Sequence, residues 1–227
     1  TMQIAQQLYE GVAIGSTRIG LITYMRTDST RISAVAIDEV RRFIGQNYPA
    51  ELPGEAAVYA TEGKAQDAHE AIRPTMIEYT PDSIKDQLTK DQHKLYAIIW
   101  ERFVSSQMSN AKIRSTAMEL GVKAADGSEG LFRVNASKIV ERGFYKAIKV
   151  LASKEEKETL IPEIPVGETV KVEKLRSEQH FTQGPARFTD ASIIKALEEQ
   201  GIGRPSTYAP IISVLLERYY VTRENRQ

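Results

Sequence analysis

A tyrosine and an arginine stand two positions apart near the start of the chain, inside the run GLITYMRTDSTR at residues 20–31. The apolar beginning of this run predicts an extended strand. Alternate side chains of a strand share a face, so Tyr24 and Arg26 would point the same way, roughly 6 to 7 Å apart. A phosphate group would fit between them.

This pair has suitable chemistry for attack on phosphorus. A phenol is a poor nucleophile while it keeps its proton, and a neighbouring guanidinium favours the phenolate form. The same guanidinium would stabilise negative charge that develops on the phosphate oxygens. A simpler interpretation is a half-buried aromatic residue on a strand beside a solvated arginine, because aromatic residues are common in strands. The spacing of Tyr24 and Arg26 alone leaves both interpretations open.

A second segment, QDAHEAIRPT at residues 66–75, contains His69. Together, ITYMRTDSTRIS and AHEAIRPT resemble the tyrosine region of the bacterial topoisomerase I group, type IA enzymes that cut and reseal one DNA strand. PARFTDASIIKALEEQGIGRPSTYAPIISVLLERYYV, at residues 185–221, resembles a later block of the same family. The resemblance therefore runs through nearly the whole chain. Met25 and the AHEAIRP motif favour this group over topoisomerase III and reverse gyrase, which stay as alternatives.

The resemblance implies a mechanism. The tyrosine hydroxyl attacks a backbone phosphodiester of single-stranded DNA, becomes joined to the 5′-phosphate and releases a 3′-hydroxyl. The other strand passes through the gap, and the break is then resealed without ATP because one phosphoester is exchanged for another. In this sequence the family pattern implies Tyr24 as the nucleophile, Arg26 as the phosphate-binding cation and His69 as a residue that assists near the scissile phosphate.

The second segment also has plainer interpretations. The HExxH zinc pattern is not met, because no second histidine follows His69 at the required spacing, and a lone histidine is usually structural. Arg73 could serve the fold by pairing with Glu70 or Asp67. The Asp-Ser-Thr group at residues 28–30 could cap the chain that follows and hold the preceding arginine in place.

The composition agrees with this picture without suggesting it. The 227 residues include 30 basic and 30 acidic side chains, so the formal net charge is zero. Nucleic-acid binders often have a basic excess, so this balance counts against wrapping of duplex DNA and leaves room for a local basic groove. The sequence has no cysteine, which excludes disulfides, thiol chemistry and cysteine-bound zinc. Because the sequence has no 18-residue apolar run and no signal-like segment, we expect a soluble, cytoplasmic protein with no membrane contact. We also expect a monomer.

The periodicity predicts an α+β multidomain fold. Residues 1–110 are interpreted as a helical, tyrosine-bearing catalytic domain, with apolar stripes that begin near Met2, after Ser33 and after Asp91. Trp100 falls on the flank of the last stripe, whose members are Leu95, Ile98, Ile99 and Phe103.

Residues 111–180 are interpreted as an antiparallel β-rich region. Apolar residues alternate at 118–122 and 132–136 around an Asp126-Gly127 turn, and again at Val170 and Val172. The charged run at residues 154–158 is typical of a solvated loop. By resemblance, this region is the hinge or arch that lets the tyrosine-bearing domain swing away.

Residues 181–227 are interpreted as part of a helix-turn-helix domain. Asp190 would cap a helix that ends at Gly201, and Ser206 would cap a second helix that continues to about Arg218. The strand-like residues 219–222 would add a wing, which makes the domain winged-helix-like. Such a helix pair is a frequent DNA reader, although an ordinary helical hairpin fits the same pattern.

The start of the second helix of this pair is a natural anion site, because its first backbone amides lack partners within the helix. The resemblance places contacts with single-stranded DNA in this region. Arg204, Thr207 and Arg218 are the candidate DNA-binding residues. Tyr208 would either stack on a base or pack within the fold.

The resemblance also implies parts that this sequence does not contain, namely a Toprim domain whose acidic cluster binds Mg²⁺ and C-terminal zinc ribbons. We therefore expect an internal fragment that itself binds no metal or other cofactor, with Mg²⁺ acting in the full-length enzyme through the Toprim domain. Such a fragment should bind single-stranded DNA weakly and leave supercoils unrelaxed. Two alternatives are a non-catalytic single-stranded DNA-binding module and a scaffold that chiefly docks the Toprim region.

Overall fold

The computed structural model describes residues 1–59, 69–150 and 161–225, which form two compact units, Thr1–Pro162 and Glu163–Gln227. Asp67 and the charged run at residues 154–158 lie outside the described residues. The domain boundaries that we placed after residues 110 and 180 stay predictions. None of the helices in the described ranges is both long and apolar enough to cross a membrane.

Three helices build the core of the first unit. They are α1 at Met2–Glu10, α2 at Ala34–Asn47 and α3 at Lys90–Ser106. The sequence predicted all three from their apolar periodicity, and Ser33 is the N-cap residue of α2 as expected. The most deeply buried side chains of this core, at 0% exposure, are Leu8, Val40, Ile44, Tyr96 and Val104. The segment around Tyr24 packs against this helical core.

The start of α3 differs in detail from the prediction. Thr89, not Asp91, is the N-cap residue, and it forms a capping box in which its hydroxyl accepts from the Gln92 amide at 3.2 Å while the Gln92 side chain accepts from the Thr89 amide at 3.0 Å. Two reciprocal hydrogen bonds satisfy amides that the first turn leaves without partners. Asp91 lies inside the first turn instead.

The buried face of α3 was only partly predicted, since Phe103 of the predicted stripe is buried but the most buried side chains lie beside it. Tyr96 and Trp100 are buried, whereas Leu95, Ile98 and Ile99 are only partly buried. The reason is that each large aromatic residue finds a carbonyl for its polar atom. The Trp100 Nε1 donates to the Ile77 carbonyl at 3.1 Å, and the Tyr96 hydroxyl donates to the Tyr79 carbonyl at 2.6 Å. Burial also raises the pKa of Tyr96 well above its usual value.

The first unit contains two small antiparallel sheets. Strands β1 at Val12–Ile14 and β2 at Thr17–Ile19 form a short hairpin that the sequence analysis did not predict. Strands β3 at Lys112–Lys123 and β4 at Glu129–Glu141 form a long hairpin. A turn at Gly127, with φ of +81°, joins β3 to β4, so the predicted antiparallel region and its turn are confirmed here.

The long hairpin is amphipathic. Met118 lies opposite Val134 and Leu120 lies opposite Phe132, which places apolar side chains on one face. The other face carries ion pairs between Glu119 and Arg133 and between Lys123 and Glu129. The further strand predicted at residues 170–172 is wrong, because residues 161–189 contain no regular element. Alternation alone does not make a strand when no neighbouring strand supplies hydrogen bonds.

The base of the long hairpin is attached to the helical part of the unit through Glu51. The 3₁₀ turn at Gly143–Lys146 follows β4, and its Phe144 amide donates to the Ser109 carbonyl at 2.9 Å. The Ser109 amide and hydroxyl both donate to the Glu51 carbonyl, at 2.8 and 2.9 Å, and the Glu51 carboxylate pairs with Lys146. These bonds fix where the hairpin leaves the core.

The second unit contains α4 at Asp190–Glu199 and α5 at Tyr208–Glu217. Both helices were predicted, although their N-cap residues are Thr189 and Thr207, not Asp190 and Ser206. Gly201, with φ of +69°, ends α4 as expected, and its amide donates to the Glu198 carbonyl at 2.9 Å.

The predicted wing of the second unit is not formed. Residues 219–222 contain no strand, and Tyr219 has a left-handed φ of 57° that turns the chain just after α5. A left-handed residue interrupts the extended backbone that a strand requires. The fold is therefore a mixture of helices and small antiparallel sheets.

Candidate active site

The segment that carries Tyr24 pairs with the segment that follows His69. Ile22 forms an antiparallel bridge with Pro74, the Thr23 amide donates to the Arg73 carbonyl at 3.0 Å, and the Thr75 amide donates to the Leu21 carbonyl at 3.0 Å. The pairing stops there, because the chain bends at residues 25 and 26. The predicted strand is therefore wrong beyond this short contact.

The side chain of Thr23 continues the hydrogen bonding beyond the point where the backbone pairing ends. Its hydroxyl donates to the Ala71 carbonyl at 2.7 Å and accepts from the Arg73 amide at 3.0 Å. A hydroxyl that both donates and accepts can hold two backbone groups that a regular ladder would otherwise pair. Thr23 thus ties the residue before Tyr24 to the segment that begins at His69.

A close approach to α1 fixes the other side of the same segment. The Leu21 amide donates to the Leu8 carbonyl at 2.8 Å. A Cβ atom on Gly20 would lie 2.6 Å from the Tyr9 carbonyl oxygen, which is closer than a side chain tolerates. Glycine at position 20 therefore lets the chain come near enough for Tyr9 and Tyr24 to meet.

The ring of Tyr24 is half-buried between two aromatic rings. Tyr9 contacts it edge to face, with centroids 5.4 Å apart and planes at 69°, and His69 stacks on it with centroids 5.3 Å apart and planes at 30°. The Tyr24 hydroxyl makes no hydrogen bond to a described residue, and every buried side-chain oxygen or nitrogen in the described ranges has a partner. The hydroxyl therefore reaches solvent, and so do the ring nitrogens of His69.

Arg26 lies on the exposed side of the bend. Met25 turns inward and is 3% exposed, while the arginine that follows it is exposed. Within the part of the chain that the structure describes, the Arg26 guanidinium makes no ion pair or hydrogen bond. A cation without a protein partner, two residues from a solvent-accessible phenol, is free to bind an anion.

The polar residues next to Arg26 and His69 form bonds with residues close to them in sequence. Arg73 pairs with Glu70 at 2.9 Å, which is one of the two partners considered for it. In the Asp-Ser-Thr group, the Ser29 amide donates to the Thr27 hydroxyl at 3.0 Å, so these polar residues shape the chain after the arginine.

Comparisons with known proteins identify the family of this chain. The family model described as DNA topoisomerase matches residues 1–227. The chain belongs to the DNA topoisomerase family. The sequence is 54% identical to DNA topoisomerase 1 of Treponema pallidum over 227 residues, which are 100% of this chain and 30% of that protein. It is 47% identical to DNA topoisomerase 1 of Rickettsia felis over 231 residues, with 100% of this chain and 29% of that protein covered.

The fold of this chain is similar to a solved structure as well. Full-length topoisomerase I from Thermotoga maritima matches with a TM-score of 0.73 and 34% identity, over 99% of this chain and 35% of that one. The family resemblance drawn from the sequence is thus confirmed. The chain spans about a third of the length of these relatives.

The described residues contain no cluster of the side chains that usually hold a metal ion. In residues 1–59, 69–150 and 161–225, no group of three or more His, Cys, Asp or Glu side chains comes together to hold a metal ion. The chemistry that these residues themselves offer is that of a phenol, an imidazole and a guanidinium.

In the second unit, two of the four DNA-binding candidates lie together, Arg204 and Thr207. The Thr207 hydroxyl accepts from the Arg204 amide at 2.8 Å and donates to the Arg204 carbonyl at 3.1 Å, and both residues are exposed. Arg218 lies at the far end of α5, whose ten residues span about 15 Å. Tyr208 is half-buried at the helix start.

Sequence reasoning missed two residues of the candidate site, Tyr9 and Thr23. Tyr9 was assigned only to the apolar stripe of α1, and no spacing rule links it to Tyr24 across the short β hairpin between them. Thr23 gave no local signal either, because its hydroxyl bonds to Ala71 and Arg73, which lie 48 and 50 positions further along the chain.

Proposed function

We propose that this chain is the tyrosine-bearing part of a type IA DNA topoisomerase. Such an enzyme cuts one DNA strand through a 5′-phosphotyrosyl intermediate, lets the other strand pass and reseals the break without ATP. One observation carries the proposal: the solvent-accessible hydroxyl of Tyr24 belongs to a ring stacked on His69 at 5.3 Å, and Arg26, two residues along, has no partner among the described residues.

The chemistry follows from these three groups. The Tyr24 oxygen forms a bond to phosphorus, the bond from phosphorus to the 3′-oxygen breaks, and the phenolic proton passes through solvent to the departing 3′-oxygen. The Arg26 guanidinium binds the phosphate oxygens, and the His69 imidazole donates an N–H to one of them. Resealing is the reverse reaction, in which the 3′-hydroxyl attacks phosphorus and the phenol leaves.

Single-stranded DNA is the proposed substrate, and α4 and α5 form the proposed helix-turn-helix that contacts its backbone. Exposed Arg204 and Thr207 at the start of α5 support this role, because a helix start with a hydroxyl and a guanidinium binds phosphate. Arg218 at the other end of α5 would contact a further phosphate. An ordinary helical hairpin is the alternative for this pair.

The whole enzyme would require more than this chain. The relatives are about three times as long, and the magnesium expected for the family would be held by a Toprim region of the longer polypeptide. The region between residues 111 and 180 would act as the hinge. We further propose a monomer that works on DNA in the cytoplasm, and a chain that alone binds single-stranded DNA weakly and does not relax supercoils.

The test is a Tyr24→Phe variant of the longer enzyme, incubated with a labelled single-stranded oligonucleotide and denatured to trap covalent adducts. The variant should form no adduct, while the matched control Tyr48→Phe, a half-buried tyrosine on a different segment, should form as much as the parent. An adduct that persists in Tyr24→Phe and disappears in Tyr9→Phe would contradict the proposal, because it would make the neighbouring ring the nucleophile.

A second experiment tests the proposed Toprim partner. The 227-residue chain, which alone should not cleave, is mixed with a fragment that carries the Toprim region. Restored adduct formation, lost again with Tyr24→Phe, is the expected result. A mixture that binds the oligonucleotide and never forms an adduct would favour a non-catalytic binding module.

A further inference from the structure

A cleft of about 400 Å³ lies beside the Tyr24 site and has no role in the proposed reaction. The same two segments that carry the reacting groups form part of its wall. Ser29 and Thr30 follow the arginine of the site, and Ala71 and Ile72 follow the histidine. The Ala71 amide donates to the Arg31 carbonyl at 2.8 Å, so the two segments meet at this wall.

The cleft has an apolar floor. Phe103 and Met108 are each 6% exposed, and Ile32 and Phe144 are half-buried beside them. A floor of this kind suits a flat ring better than a hydrated ion, because apolar and aromatic surfaces gain from covering a π face. The floor therefore favours an aromatic ligand.

The rim of the cleft is polar and carries positive charge. Arg102 and Asn110 line it and are exposed, and within the described ranges neither side chain has a hydrogen-bond or ion-pair partner. None of the residues that line the described wall is acidic. A guanidinium without a carboxylate nearby attracts an anion and disfavours a metal cation.

We propose that this cleft binds one nucleotide, with its base on the apolar floor and its phosphate at Arg102. The volume lies within the range of about 300 to 1,000 Å³ that is usual for small-molecule sites. The Asn110 amide can both donate to and accept from the edge of a base. An apolar peptide would cover the floor but leave the Arg102 charge without a partner.

Two sources could supply this nucleotide. One is a free mononucleotide, and the other is an unpaired base of the DNA strand held at Tyr24. The second source rests on the proposed function. In that case the cleft would hold the DNA strand close to the position of the cut. Binding of a free nucleotide does not depend on cleavage, so the two ideas fail separately.

The first experiment measures binding of dTMP, deoxyribose 5-phosphate and inorganic phosphate to the full 227-residue chain by calorimetry. We expect dTMP to bind most tightly. Arg102→Gln should weaken dTMP binding by about tenfold, because a charge-assisted hydrogen bond is lost. The matched control Arg42→Gln removes an exposed arginine of α2 that does not line the cleft, and it should bind dTMP as the parent does.

Several outcomes would overturn the proposal. Equal binding of dTMP and inorganic phosphate would show that the floor takes no base. Equal effects of Arg102→Gln and Arg42→Gln would show that the cleft is not the site. Loss of dTMP binding in Tyr24→Phe would move the nucleotide to the tyrosine, whereas unchanged binding in that variant supports the cleft.

The second experiment distinguishes the two sources in the longer enzyme. If the cleft holds a base of the cut strand, Arg102→Gln should shift the position of adduct formation on a single-stranded oligonucleotide, and added dTMP should do the same in the parent. If only free nucleotides bind, the positions stay unchanged while calorimetry still reports the Arg102 effect. Both results support the cleft as a nucleotide site and assign its source.

Discussion

Tyr24 and His69 stack with their ring centroids 5.3 Å apart, although they belong to two segments that share only a short backbone pairing. Among the residues that the structure describes, neither the imidazole nitrogens nor the phenol hydroxyl of this stack has a hydrogen-bond partner. Packing alone would have been served by any flat ring at position 69. The first property to test is therefore whether position 69 requires the imidazole nitrogens or only a flat ring.

Substitution of His69 separates stacking from hydrogen bonding. His69→Phe keeps a flat ring against Tyr24 and removes the N–H donor, whereas His69→Ala removes both. We expect both variants of the longer enzyme to form adducts more slowly by about 100-fold, the usual cost of losing one donor to a developing oxyanion. Single-turnover cleavage of an oligonucleotide measures this. Parent-like cleavage by His69→Phe would reduce the histidine to a packing residue.

Substitution of Tyr9 tests whether the edge-to-face contact positions Tyr24. Tyr9→Leu loses an aromatic contact of about 0.5 to 1.5 kcal/mol, so adduct formation should slow by roughly two- to tenfold. Tyr9→Phe keeps the ring and should restore the parent rate. A positioning role also predicts that Tyr9→Leu changes the cleavage rate more than oligonucleotide affinity, and equal changes in both would count against it.

Gly20→Ala should destabilise the first unit. The new methyl group would lie 2.6 Å from the Tyr9 carbonyl oxygen, and overpacking of this kind costs about 1 to 3 kcal/mol. Gly54→Ala is the control, because nothing lies within 4 Å of its added carbon, and its effect should stay within about 0.5 kcal/mol. Urea unfolding of both variants provides the comparison, and similar midpoints would refute the close approach.

Gly143→Ala should loosen the base of the long hairpin. Its φ is +48°, and an added carbon would lie 2.5 Å from the carbonyl oxygens of Ser109 and Asn110. Left-handed strain and overlap together should cost about 2 to 5 kcal/mol. Gly127→Ala has the strain without the overlap, since its surroundings are open, and should cost about 1 to 2 kcal/mol. Thermal unfolding by calorimetry should rank them in that order.

The helices and the long hairpin could be predicted because their signals are local. The apolar period of α2 and the alternation around Gly127 each need only neighbouring residues to be interpreted. The same sequence also contained the capping signal that was misjudged, since Thr89 followed three residues later by Gln92 is the pattern of a capping box. The spacing of Thr89 and Gln92 therefore predicts that α3 starts after Thr89.

Other features could not be predicted because they depend on distant partners. Burial of Trp100 needs the Ile77 carbonyl, and the alternation at Val170 and Val172 needs a second strand that the described chain does not supply. The roles predicted for Tyr24 and His69 were inferred from a family resemblance, not from a local pattern. Their stacking, and the part played by Tyr9, follow from long-range pairing that no local pattern encodes.

The bond between Thr23 and Arg73 joins residues 50 positions apart. Helices form from neighbouring residues in about a microsecond, whereas a closure of this length must first overcome chain entropy. During synthesis, Tyr24 leaves the ribosome well before the segment that completes its surroundings. A nascent chain therefore carries Tyr24 before His69 and Arg73 have been made, and the surroundings of its ring are complete only after the loop has closed.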